Sequence, residues 1–257
     1  MDQHFDEEFD SQLSLNKYSN ELGRLKRLLS YVFVEGSRGA AGNAEIVVMC
    51  LLRSCKDIVD ETLLLVRGGF SRAAVGGLLT MYECVVSARY ISLHPDKAVN
   101  FLNVLNPQWA KIMQNIPPEY RPVSMESKLT EDVPKYGDKK PITSKDIQWS
   151  DTHVRQMAQE AGAVIHLHPW AFDQASAYIH PSAMFVARML RSNPETHLLE
   201  IRDRSPVDEK FAIRFVHDLA LNAIDLRLKT ASDPSASLAL QECLVDFKNI
   251  WGYDAHI

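Results

Sequence analysis

The chain has 257 residues, 46% of them hydrophobic, which is ample for a proper core and excludes a disordered protein. A formal net charge of −5 argues against a surface built mainly to hold nucleic acid non-specifically. No apolar run approaches the roughly 18 residues needed to span a bilayer, and the opening MDQHFDEEFD is acidic where a secretion signal is basic. A cytoplasmic location without membrane association is therefore expected.

The first helix is expected from about Asp6 to Glu35, where Leu22, Leu25, Leu29 and Val32 fall on one apolar stripe. GSRGAAG (36–42) breaks it. A second helix, from about Asn43 to Val66, is apolar almost all round in its first half, which predicts burial between other helices. Gly68 and Gly69 end it as a C-cap, and Ser71 is placed to cap the next helix.

That next helix, from about Ser71 to His94, is the most apolar long helix of the chain and is expected to be its most buried. Side chains on a helix are about 100° apart, so Arg72, Gly76, Glu83, Ser87, Tyr90 and His94 share one face. Glu83 is the only charge between Arg72 and Arg89. An unpaired buried carboxylate costs several kcal/mol, so a polar partner is expected opposite it. Gly76 and Gly77 each cost about 1 kcal/mol relative to Ala inside a helix, which predicts a close helix crossing. The run GGFSRAAVGG lacks the Lys-Ser/Thr ending of a phosphate-binding loop.

A further helix is expected from about Asp96 to Ile116, bent at Asn106-Pro107. The stretch at about 117–149 is rich in Pro, Lys, Asp and Glu and poor in large aliphatics. It reads as an insertion, longer than the usual connection of a compact domain, and either a flap near the site or a solvated excursion. A helix restarts through HVRQMAQEA, with Ser150, Asp151 or Thr152 as cap, and stops at Ala161-Gly162. Pro169 and Pro181 each suit the first turn of a helix, so His94, His168 and His180 stand at helix junctions, where a His bonding a free backbone N–H needs no chemistry. Helices from about Pro206 to Lys229 and Ala236 to Trp251 complete the chain. No β alternation or internal repeat is apparent. The expected fold is all-α: one domain, a bundle of about seven or eight helices, with the insertion between its halves. Cys50, Cys55, Cys84 and Cys243 form no C-x-x-C pair or zinc spacing, so buried thiols are expected rather than disulfides.

Glu83 on its apolar helix, followed much later by FDQASAYIHPS, resembles a bacterial domain-of-unknown-function family, the one numbered 5677. The matching residues are Glu83, Phe172, Ser176 and His180, over roughly Glu61 to Ser192. Thr or Leu stands where the family has an Arg before its Glu, and Phe172 replaces its Tyr. The resemblance implies an all-helical domain and names no activity. Arg89-Tyr-Ile-Ser-Leu-His94 is similar to the Arg-x4-6-His motif with which many HEPN helical domains cut RNA. That likeness implies His94 as general acid or base and Arg89 as stabiliser of the phosphate.

The expected function is an RNA-directed, metal-independent endoribonuclease, assembled as a homodimer so that two Arg89–His94 pairs face one cleft, with Glu83, Ser176 and His180 completing the candidate site. The alternative is a non-catalytic interaction or scaffold protein with a protein partner, in which Glu83, Ser176 and His180 form a buried hydrogen-bonded cluster that sets helix register. A metal site from His166, His168, His180, His94 and Glu83 has enough donors but lacks the Glu-x-x-His motif of di-iron bundles. A Ser176–His180–Glu83 hydrolase lacks a Gly-x-Ser-x-Gly elbow. No cofactor is implied.

Overall fold

The chain enters the fold through α1 (Ser19–Ser30), which runs on into a π-helical turn (Tyr31–Glu35). A computed structural model describes residues 15–35, 42–104, 108, 111–112, 116–117, 120, 148–180, 186–187, 190–193, 195–201 and 206–257. The expected start of the first helix lies outside these residues, as does all of the 117–149 insertion apart from 117, 120 and 148–149.

Helices α2 (Asn43–Arg67) and α3 (Ser71–Leu93) form an antiparallel hairpin. Gly69 makes the turn at φ 75°, a left-handed conformation that costs glycine little, and lets the Phe70 N–H reach Leu65 O at 2.8 Å. Gly77 explains the close crossing. A Cβ there would lie 3.2 Å from Ile58 Cγ2 and 3.3 Å from Thr62 Oγ1, both on α2, whereas a Cβ at Gly76 would meet nothing within 4 Å. Only one of the two glycines is therefore required by packing. Ser71 does not cap α3: the N-cap is Phe70, and no side chain bonds there.

Helix α4 (Lys97–Asn103) is shorter than expected, and α5 (Val154–Glu160) follows on the far side of the insertion. Its cap is His153, whose Nδ1 accepts the Arg155 N–H at 3.3 Å. Ser150 turns back instead on Thr152, whose N–H it accepts at 3.1 Å. A 3-10 turn (Ala163–Leu167), a π-helical turn (His168–Gln174) and α6 (Ala175–Ile179) then run without a break. A short antiparallel hairpin, β1 (Leu190–Ser192) with β2 (Leu199–Ile201), pairs Leu190 with Ile201. It was invisible as a pattern because strands of three residues are too short to alternate. Its turn is closed by Asn193 Oδ1, which accepts the N–H of Glu195 at 2.9 Å and of Thr196 at 3.1 Å. Helices α7 (Pro206–Thr230) and α8 (Pro234–Trp251) end the fold. Asp233 caps α8 by accepting the Ala236 N–H at 3.0 Å.

The architecture is all-α apart from that hairpin. Helix α3 lies at its centre and packs on α2, α5, α6 and α7. Its Val75, Leu78, Met81, Tyr82, Val85 and Ile91 are sealed from solvent, as are Leu219, Leu221 and Ile224 of α7. Burying each such side chain contributes about 1.5–3 kcal/mol, which is why these two largely apolar helices occupy the middle. Cys55 and Cys243 are buried as expected, but Cys50 is exposed and Cys84 half-buried. Among the described residues no helix is long and apolar enough to cross a membrane.

Candidate functional site

The polar line on α3 is a real face, and α5 with the loop before it is what it faces. The Tyr90 hydroxyl is 3.1 Å from Thr152 Oγ1, and His94 Nε2 is 3.0 Å from Glu160 Oε2. The Tyr90 and His94 rings sit 4.5 Å apart. Further along the helix, Glu83 and Ser87 open onto a cavity of about 490 Å³, lined also by Leu51 of α2, Phe101 of α4, Gln108 and several residues between Gln148 and Met157. Trp149 is held in its wall edge-on against Phe101, 5.1 Å between centroids, and against Tyr90 at 6.1 Å. Gln148, just before it, is tied down by donating from Nε2 to Ser150 O.

Glu83 is exposed to this cavity, and among the described residues its carboxylate makes no hydrogen bond or ion pair. Burial by the cavity walls raises its pKa, and no charged neighbour offsets that. The expected cluster of Glu83, Ser176 and His180 does not form. Ser176 is half-buried in α6, with its carbonyl accepting the His180 N–H at 3.1 Å, and the His180 ring is exposed. Neither side chain bonds Glu83. The contact that ties α6 to α3 is instead Arg72, whose Nη2 donates to Ile179 O at 3.0 Å. A helical wheel counts only a residue's own helix, so it could not foresee a cavity walled by the segment that ends the insertion and leads into α5.

The Arg89–His94 pair does not converge either. Arg89 is 8% exposed and points to α7, where its Nη2 donates to Asn222 O at 3.2 Å, Asn222 Oδ1 at 3.1 Å and Asp225 Oδ2 at 2.9 Å. His94 turns to α5 and Glu160. A guanidinium buried in this interface and paired with Asp225 is a cross-link between α3 and α7, although its Nε has no hydrogen-bond partner among the described residues.

The histidines at the other junctions are structural in surroundings. His168 is buried, its Nδ1 hydrogen-bonded with the Tyr82 hydroxyl at 2.8 Å, its ring stacked on Phe172 at 4.9 Å. Burial lowers the His168 pKa and raises that of Tyr82. His166 lies against His256, ring to ring at 6.0 Å, and His256 Nδ1 in turn binds the buried Asp218 at 2.7 Å. Among the described residues no three His, Cys, Asp or Glu side chains are gathered to hold a metal ion, so the five donors counted from the sequence do not form a site.

Two features were not anticipated. Trp149 and Thr152 build the cavity wall, and the one signal for them was a Trp-Ser-Asp-Thr run closing a stretch otherwise poor in large apolar residues. Asp218, Asn222 and Asp225 recur about one turn apart on α7, a polar set inside an apolar helix that resembles the Glu83 pattern and marks Arg89's partners.

Comparison with curated proteins and with solved structures finds no match. A family model does match residues 45–197, a span that holds every residue lining the cavity but not the α7 partners of Arg89. The chain therefore belongs to the family described as "Family of unknown function (DUF5677)".

Proposed function

We propose that this protein is a non-catalytic helical interaction module and that the cavity under Glu83 is its recognition site. The observation that supports this reading is the engagement of Arg89 Nη2 with Asp225 and Asn222, which gives the residue that the Arg-x4-His likeness would set on a phosphate a packing role between α3 and α7. The cavity meets the other requirement. Its volume of about 490 Å³ falls in the range of small-molecule sites, roughly 300–1,000 Å³. Its wall combines aromatic surface with a few polar groups fixed by hydrogen bonds.

The test sets this reading against the ribonuclease one. The purified wild type and His94→Ala are each incubated with a mixed RNA pool and followed by thermal unfolding. The expected result is no cleavage by either protein and nearly equal melting temperatures, since the exposed His94–Glu160 pair contributes under about 1 kcal/mol. Cleavage by the wild type that His94→Ala abolishes at unchanged stability would restore the nuclease.

A further inference from the structure

Resting on the reading of the cavity as a recognition site, we propose that its ligand carries an organic ammonium group, seated between the Glu83 carboxylate and the aromatic wall of Trp149 and Phe101.

Charge is the first argument. Among the described residues lining the cavity, Glu83 alone carries a formal charge, and no Lys or Arg is among them. The His153 Nδ1 accepts the Arg155 N–H, which leaves Nε2 to carry the ring proton of that tautomer. Several acidic groups elsewhere in the fold have cationic partners. Asp246 takes Arg24, Asp60 takes Lys26 and Lys56, and Asp225 takes Arg89 and Lys229. Glu83 has no such partner among the described residues and lines a cavity of about 490 Å³.

The second argument is the kind of cation. An inorganic divalent ion needs several oxygen or nitrogen ligands around it, and no such group is present among the described residues. A bare carboxylate beside aromatic surface suits instead a large, weakly hydrated cation, whose charge is met on one side by the carboxylate and on the others by ring faces and C–H surface. Trp149 is suited to that role because Phe101 and Tyr90 both abut it, 5.1 Å and 6.1 Å away, so little freedom is lost on binding. An anionic ligand would meet Glu83 head-on. A neutral one would displace water from the carboxylate without replacing it, and the walls already disfavour its charge.

The experiment uses the full chain and isothermal titration with four probes of similar size: choline, n-butylammonium, the neutral choline isostere 3,3-dimethylbutan-1-ol, and butyrate. Both cations are expected to bind, with choline about tenfold or more tighter than its isostere, the loss that follows from removing one charged contact, and with no binding of butyrate. Glu83→Gln, a change of charge at an exposed position, is expected to erase the difference between choline and the isostere. The wild-type comparison of isosteres needs no variant, so a poorly folding Glu83→Gln does not rescue the idea. Equal binding of choline and the isostere, binding of butyrate, or binding of none of the four overturns the proposal. Equal binding by the neutral probe leaves the interaction-module reading standing, and RNA cleavage that depends on His94 would remove that reading independently of these titrations.

Discussion

Arg89 Nη2 and Asp225 Oδ2 lie 2.9 Å apart across the interface of α3 and α7, with the two side chains 9% and 13% exposed. The arginine of the Arg-x4-His motif is thus a cross-link between the two central helices. Removing one member of a buried pair leaves the other desolvated and alone, which costs about 3–5 kcal/mol. Arg89→Ala is expected to lower stability by that amount in urea unfolding. Arg89→Lys should recover only part of it, because the shorter side chain does not carry its ammonium to the position from which Nη2 meets Asn222 O, Asn222 Oδ1 and Asp225 Oδ2 together. A loss below about 1 kcal/mol in Arg89→Ala would mean that the pair is not structural and would return Arg89 to the candidate site.

Tyr82 and His168 make a second interior link, between α3 and the π-helical turn. Tyr82→Phe keeps the ring in contact with Phe172 but leaves the buried Nδ1 of His168 without that partner. The expected cost is about 1–3 kcal/mol. A double-mutant cycle with His168→Leu checks it: the coupling should account for most of the single-mutant loss, and additive effects would show the bond to be worth nothing.

Two histidines of the C-terminal half should titrate in opposite senses. Burial drives the His217 pKa down from 6.5 to about 3, so the folded protein holds this ring neutral while the unfolded chain takes up a proton. Its contribution to stability is complete above 6.5 and lost as pH falls towards about 3, by up to about 1.4 kcal/mol per pH unit. The His256 pKa is raised, chiefly by its hydrogen bond to Asp218. That contribution is complete below 6.5 and lost as pH rises through the folded-state value. Melting temperatures measured across pH should therefore fall less steeply on the acid side in His217→Leu than in the wild type. The alkaline decline should be shallower in His256→Ala. Parallel profiles for wild type and variant would show that neither ring is coupled to folding.

Gly76 and Gly77 offer a local control on the α2–α3 crossing. Gly76→Ala adds a methyl group to open space and is expected to stabilise by up to about 1 kcal/mol through helix propensity. Gly77→Ala gains the same propensity but pushes a Cβ to 3.2 Å from Ile58 Cγ2 and 3.3 Å from Thr62 Oγ1, in an interior that yields little. It should be the less stable of the two by about 1 kcal/mol or more. Equal stabilisation by both substitutions in chemical denaturation would show that α2 can move away from α3 at no cost.

The amino-acid sequence by itself determined the helical class, the ends of α2, α3, α7 and α8 to within a few residues, and the face that Glu83, Ser87, Tyr90 and His94 share. These follow from short-range rules: the helical period, the cost of glycine and proline, and the run of apolar side chains. The tertiary structure alone decided what that face looks at. Thr152 and Glu160 reach it from beyond the insertion, and Asp225 reaches Arg89 from 136 residues away. Arg89 and His94 are five residues apart in the chain, yet their directions differ enough on the helix for one to be claimed by α7 and the other by α5. Glu83 is left facing a cavity because α6, which carries Ser176 and His180, makes its contact with α3 at Arg72 instead. Which helix packs on which face depends on the fit of whole side-chain surfaces distant in sequence, and no local pattern around Glu83 or Arg89 encodes that fit.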